Sequence, residues 1–550
     1  MLRAEAMSPI PAATATVARA AFPQGSPVMT LRDHLGAIYQ DADFQALFPS
    51  DQGQPAWSAW RLALITVMQY LEDLSDRQAA QAVRGRIDWK YALSLPLAHP
   101  GVDASVLSEF RCRLLQAGAE DMLLERLLSQ CQEQGWLQAG GRQRSDSTHV
   151  VATIRVLHRL EVVGETLRAA LNSLAVAAPE WLPARVSADW FERYGSRMED
   201  YQWPKTAEHR QQWAETFGRD GHHLLAEIWA ETAPAWLPQL PAVEVFRQVW
   251  VQQFYLDEHH HVHWRTSEES PPAAQLIHSP YDVEARFSRK RETQWVGYKV
   301  HLTETCDSNR PHLITQVETT TATTTDVEVT HTIQADLVAH HRVPGTHLLD
   351  TGYIEAEQLL ISREHYGIDI VAPVLPDSSW QARAQQGFDL THFEVNWEQH
   401  QGRCPQGHLS RTWKPSTDRR GHDTIAITFP PETCQACPQR AQCTRSQKQG
   451  RRLTLRPQRQ HQALQRARQT QETPDFQQRY APRAGIEGTL SQGLRAFGLR
   501  RCRYIGLAKT HLQHLITATA MNVARLVNWW KDVPLAQTRR SQLAKLAPTA

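Results

Sequence analysis

Leu348-Leu-Asp350-Thr-Gly352-Tyr353 ends a short apolar run in an acid followed by a glycine turn, and its surroundings decide the fold. Upstream, residues 326–339 read as a helix and His347–Leu349 as the strand that delivers Asp350. Downstream, a helix over Glu355–Tyr366 leads to a strand at Ile368–Val374. Working outward, Trp295–Leu302 and Leu313–Glu318 carry the alternation of half-buried strands. Residues 147–156, directly after Asp146, alternate in the same way and are rich in β-branched side chains.

The predicted order is therefore strand, strand, strand, helix, strand, helix, strand, with acids on the first and fourth strands. That order predicts an α/β fold with a ribonuclease H-like mixed sheet, in which the first and fourth strands are neighbours. Asp146 and Asp350 would then meet across 204 residues of sequence. A third acid lies in Tyr480-Ala-Pro-Arg483-Ala-Gly-Ile-Glu487. Pro482 suits the first turn of a helix, and Arg483 sits one turn before Glu487 on the same face. Ser491 and Arg495 continue that stripe, while Ile486, Leu490, Leu494 and Phe497 form an apolar one beside it. Three converging carboxylates can hold two divalent cations, and such a pair supports in-line displacement at a phosphodiester. Taken singly, each acid has a blander reading: a local backbone contact for Asp146, a turn for Asp350, a surface pair with Arg483 for Glu487.

The 550 residues are 41% hydrophobic and 21% charged, the composition of an ordinary globular chain. No apolar run approaches the ~18 residues of a membrane span. The formal net charge of +1 conceals an asymmetry, because residues 401–530 hold 22 Lys/Arg against 6 Asp/Glu. A basic third containing the third acid is the pattern of a phosphate-binding surface. Eight cysteines without a secretory signal point to a reducing cytoplasm rather than a disulfide framework.

The expected organisation begins with residues 1–28 as a disordered Ala/Pro/Thr-rich leader, with Met29 as an alternative start. Residues 29–137 form a helical N-terminal DNA-binding domain. Within it, residues 57–85 resemble a helix-turn-helix, with Ser75 and Gln78 as a capping box and Asp103 capping a later helix. Arg77, Arg84, Arg86 and Lys90 are its candidate phosphate contacts. The core occupies 138–159 and 290–375, with a helical insertion at 160–289 and a Cys-containing insertion at 376–465. Residues 466–530 return Glu487 to the core, and 531–550 form a basic tail.

These motifs resemble the DDE transposases of bacterial insertion sequences. Tyr480-x2-Arg483-x3-Glu487 matches the signature around their third acid, Asp350-x-Gly352 followed by Tyr353 approximates the second, and Asp146-Ser-Thr-His matches the first. The likeness continues through Ile486–Gln492 and Gly498–Lys509 and runs from about residue 30 to 530. It departs at Leu494, where related signatures carry Lys, although Arg495 is adjacent.

The resemblance implies a DNA transposase that cuts at element ends and transfers the 3′ ends to target DNA. It would act as a homodimer or larger synaptic complex on terminal inverted repeats, in a bacterial cytoplasm and associated with the nucleoid. Asp146, Asp350 and Glu487 would hold two Mg2+ ions, while Arg483, Arg495, Lys299 and Tyr480 would position phosphates. A nuclease lacking strand transfer and an inactive, domesticated DNA-binding protein are the alternatives.

Cys404, Cys434, Cys437 and Cys443 have the thiolate count of a closed zinc site, which would be structural; free thiols are the other reading. His259, His260, His261 and His263 read as a solvated loop.

Overall fold

The computed structural model describes residues 7–48, 56–200 and 203–534. Its centre is a six-stranded mixed sheet built around β1 (Arg142–Val151). A small hairpin, β2 (Phe254–Leu256) and β3 (Val262–Trp264), belongs to the helical insertion. The main sheet continues with β4 (Arg286–Lys290), β5 (Thr293–Thr305), β6 (Ile314–Thr321), β7 (Thr346–Leu348) and β8 (Asp369–Val371). β1 pairs antiparallel with β5 and parallel with β7, and β7 pairs parallel with β8. β4 and β6 take successive halves of the outer edge of β5.

The parallel β1–β7 pairing is what carries the Asp146 strand alongside the one that ends at Asp350. Where β1 and β5 run closest, Gly297 has φ +153°, and a Cβ there would overlap the Val150 carbonyl oxygen.

β1 begins four residues before Asp146, so the expectation of a strand over 147–156 needs shifting towards the N-terminus. The reason is a run of buried polar side chains that does not look like a strand in sequence. Gln143 donates to the Arg342 carbonyl at 2.8 Å, and Ser145 Oγ lies 2.6 Å from Thr303 Oγ1 and 2.7 Å from His347 Nε2. Buried polar groups persist where they are paired in this way.

The helix Asp326–Ala339 forms at the bounds expected for it, and Ala356–Tyr366 starts one residue later than expected. Arg159–Ala177, Ala207–Ile228 and Pro241–Gln253 build the helical insertion around its own apolar cluster, which includes Val163, Phe217, Phe246 and Trp250.

The N-terminal helices do not have a separate core. One apolar cluster runs from Val28 through Met68 and Leu127 into Val300 on the sheet and on to Leu526. The link is the helix Leu507–Trp530, buried along most of its length against Ala59–Leu71, Met122–Glu133 and β6. Each fully buried Leu, Ile or Met there contributes roughly 1.5–3 kcal/mol. Asn522 on this helix accepts from the Ile314 amide and donates to the Ile314 carbonyl, 2.7 and 2.8 Å, covering the β6 edge as a neighbouring strand would.

Two expectations for the N-terminal region are corrected. The stretch read as a disordered leader contains a helix, Ala12–Ala21, with Thr14 and Ala18 buried; Met1–Ala6 lie outside the described residues. Thr14 Oγ1 donates to the Leu95 carbonyl at 2.9 Å, and Ala18 packs with Met29 and Tyr91. Secondly, Ser75 and Asp103 cap their helices as expected, but Lys90 and Arg86 are not available as phosphate contacts. Lys90 is buried and donates to the carbonyls of Leu97 and His99, and Arg86 pairs with Glu72 and Asp88. Arg77 and Arg84 remain exposed.

Candidate functional site

Asp146 lies in the middle of β1, opposite Leu302 of β5, and only 7% of it is exposed. Asp350 follows β7, N-caps the short turn Thr351–Tyr353 and accepts the Gly352 amide. Tyr353 anchors that turn from below, its hydroxyl 2.8 Å from His301 Nδ1. Glu487 stands in the first turn of the helix Gly485–Ala496. Pro482 falls in the preceding 3-10 turn, Ala481–Ala484, rather than in the α-helix itself.

Gly485 lets this helix approach β1, because a Cβ there would overlap the Arg144 guanidinium. Arg144 in turn donates to the Pro482 carbonyl and lies 2.7 Å from Glu304.

The three acids converge on one cation. Arg483 Nη2 is 2.7 Å from Asp146 and 3.8 Å from Asp350, and its Nη1 is 3.1 Å from Glu487. One guanidinium for three carboxylates leaves the cluster short of positive charge. Burial raises the Asp146 carboxyl to about 6; Arg483 opposes this, while Asp350 and Glu487 reinforce it. The donors are hard carboxylate oxygens, the kind that Mg2+ takes. Among the described residues, however, no group of three or more His, Cys, Asp or Glu side chains has metal-holding spacing. The cation among the acids in this structure is Arg483.

Replacing Arg483 by Gln is expected to cost the protein on the order of 2 kcal/mol at pH 8, because three acids lose their counter-charge. A carboxyl whose folded pKa is raised is least costly when protonated. The loss should therefore shrink at pH 5, below the folded value for Asp146. Thermal melts at the two pH values check this, and an equal loss at both would reject the charge argument.

The other expected phosphate ligands are distributed as follows. Tyr480 stacks on Phe476, ring centroids 5.4 Å apart, beside Leu348 and Val371. Arg495 is exposed further along the Glu487 helix. Lys299 is engaged: its Nζ donates to the Thr324 carbonyl at 2.6 Å and lies 3.3 Å from Asp326. Sequence reasoning missed two neighbours. Asp326 opens the helix Asp326–Ala339 and accepts from Ser147 Oγ at 3.2 Å, one residue from Asp146. Arg500 donates to Thr148 Oγ1 at 2.7 Å, two residues along β1 from Asp146. Asp326 looked like an ordinary acid in a first helical turn, and Arg500 one of several arginines after the last motif.

In the Cys-containing insertion, Cys404, Cys434, Cys437 and Cys443 all line one cavity of about 30 Å³. Burial pushes the Cys443 thiol up to about 11. The four come together, but not at metal-holding spacing. His259, His260 and His261 form the β2–β3 turn and His263 lies in β3; Asp257 accepts from the amides of His259 and His261 and lies 2.9 Å from His263 Nε2. Among the described residues, no helix is long and apolar enough to cross a membrane.

Two protein families match the chain. Residues 403–527 match the transposase DDE domain, a stretch that contains Glu487, Arg483 and the four clustered cysteines. Residues 16–113 match a transposase domain (DUF772) and cover the helical N-terminal region. Asp146 and Asp350 lie outside both matches. No curated protein and no solved structure shows a significant match. The transposase segments flank the sheet from either side in sequence, and the chain is consistent with an insertion-sequence DDE transposase.

Proposed function

We propose that the protein cleaves DNA at the ends of an insertion sequence and joins the freed 3′ ends to target DNA, with Asp146, Asp350 and Glu487 as its catalytic acids. One observation carries the reading: three carboxylates from segments up to 341 residues apart all lie within 4 Å of a single guanidinium. Such a meeting costs charge repulsion and desolvation, so a merely structural role would favour apolar replacements. The sheet order, with β1 and β7 adjacent and an unexpected strand, β4, added beside β5, supports a ribonuclease H-like assignment for the core.

Asp146, Asp350 and Glu487 would hold divalent cations once Arg483 turns towards DNA. Bound there, the ions supply activation of the attacking oxygen and stabilisation of the leaving one. The chain's own groups then bind and orient. Arg483, Arg500 and Arg495 offer charge to phosphates beside the acids. Tyr480 presents its hydroxyl near Asp350, and Lys299 holds Asp326 against the floor of the site. The basic 401–530 stretch adds sequence-independent attraction to the backbone.

The test uses a duplex carrying an element end, with Mg2+ or with chelator, and then pre-cut ends with a target duplex. Metal-dependent nicking and joining are both expected. Nicking without joining would leave a nuclease, and neither activity would leave a DNA-binding protein.

The four cysteines we infer to be a structural zinc site that closes on the metal. Protein purified without chelator is expected to contain about one zinc per chain, and Cys437→Ser to lack it. A wild-type protein free of zinc would reject this part.

A further inference from the structure

Arg483 stands where a cation shared by the three acids would have to sit. One oxygen of each acid turns to its guanidinium: Asp146 Oδ2 at 2.7 Å, Asp350 Oδ2 at 3.8 Å and Glu487 Oε1 at 3.1 Å. The second oxygens of Asp146 and Asp350 are engaged too, accepting from the amides of Ser147, at 2.7 Å, and of Gly352. A divalent ion held by all three acids needs the same inward oxygens, so ion and guanidinium exclude each other. Acids of the right chemistry for Mg2+ are thereby kept, among the described residues, from metal-holding spacing.

Two features separate this contact from a permanent structural ion pair. The Arg483 side chain is only 10% exposed, yet its Nε is buried with no acceptor, so its seat among the acids leaves a donor unsatisfied. The rim, by contrast, is open. The Glu487 side chain is 65% exposed, and a Cβ on the adjacent Gly488 would meet nothing within 4 Å. A phosphate can therefore approach the guanidinium from the side of Glu487 and Asp350. Because Arg144 holds the Pro482 carbonyl, the turn Ala481–Ala484 keeps its place while the Arg483 side chain moves. Among the described residues no other Lys, Arg or His lies within 4 Å of the three carboxylates. Departure of Arg483 thus strips the acids of their counter-charge.

We propose that Arg483 is an internal gate, which keeps the acids from holding metal in the DNA-free protein and frees them when a DNA phosphate takes its guanidinium. This gate presupposes the catalytic role proposed for the three acids. A phosphate offers the guanidinium two parallel charge-assisted hydrogen bonds, and the vacated carboxylates then attract a divalent cation. DNA and metal are coupled in consequence, each raising the affinity for the other by the same factor. The acids are armed only where a backbone lies ready to be cut.

The test is calorimetric titration of the full chain with Mg2+ at pH 8 and low salt, with and without an element-end duplex. Ca2+, which takes the same oxygen donors, is a second probe that reveals any heat due to strand cleavage. Free wild-type protein should bind either ion weakly, and the duplex should raise that affinity about tenfold or more. Arg483→Gln should bind the ions about tenfold more tightly than wild type without DNA, and the duplex should then add little. Mg2+ should also raise the melting temperature of this variant more than that of wild type. Arg483→Lys, which keeps a charge but loses the planar fork, shows the same trend in smaller measure and serves if Arg483→Gln does not fold. Adding Asp350→Ala to Arg483→Gln should abolish the gain, tying it to the acids. Equal ion affinity of the free wild type and the Arg483 variants, or a gain that survives the loss of Asp350, would overturn the gate. Metal-dependent nicking alongside that result would leave the proposed activity standing, whereas no ion binding in any form and no nicking would remove both.

Discussion

Asp350→Ala is expected to lower metal-dependent nicking of an element-end duplex by about 10³-fold or more, roughly 4 kcal/mol of barrier, while the fold survives. The two halves of that expectation come from the same geometry. The Asp350 side chain is 41% exposed at the end of β7 and accepts a hydrogen bond from the Gly352 amide. Losing a partly exposed cap costs about 1 kcal/mol. Under the proposed function, however, Asp350 carries one third of the acid cluster. Asp146 is the less informative residue to change, because it is buried and supplies the shortest of the Arg483 pairs. Its removal would disturb Arg483 as well as any bound ion. The decisive readout pairs the nicking rate with a melting curve. Nicking at the wild-type rate by a folded Asp350→Ala protein would remove the acid from the mechanism.

Why was so much of this arrangement legible beforehand, and what stayed hidden? β5 and β6 announce themselves by alternation, whereas the helices Asp326–Ala339 and Ala356–Tyr366 have no clean apolar face, the second burying only Ala356 and Ser362. The three acids were selected by their settings, and the structure brings those three together. What stayed hidden depends on partners remote in sequence. Gln143, Arg144 and Ser145 resemble loop residues until Arg342, Glu304 and Thr303 are folded onto them. Lys90 resembles a free cation until the carbonyls of Leu97 and His99 curl around it. Helical spacing puts Arg483 on the face of Glu487, as a candidate phosphate contact, but its reach to Asp146 cannot be read from a spacing of 337 residues. Local pattern reports which face of an element is buried. It does not report which charge lies on the other side.

The same distinction governs the second large effect, at Glu304. This residue is fully buried on β5 and flanked by Arg144 at 2.7 Å and Arg525 at 2.6 Å, with Thr489 donating at 2.6 Å. Burial would raise its carboxyl, but the two guanidiniums outweigh it and hold it below the ordinary value. One side chain thereby joins β1, β5, the helix that carries Glu487, and the C-terminal helix. Glu304→Ala strands two largely buried arginines and is expected to cost about 3–5 kcal/mol, a large share of a typical total of 5–15 kcal/mol. Urea unfolding measures this directly. The sign with pH follows from the lowered pKa: the contribution is present above the unfolded value and is lost as acid protonates Glu304 in the fold. The gap between wild type and Glu304→Gln should therefore narrow towards low pH. Thr489 lies two residues beyond Glu487, so releasing it also loosens the third acid. Nicking assayed at low temperature, where the variant remains folded, should fall further than the folded fraction does. A loss under 1 kcal/mol would mean that water already reaches the two guanidiniums, and the Glu487 helix would then owe its position to Arg483 and the apolar contacts of Ile486 and Leu490.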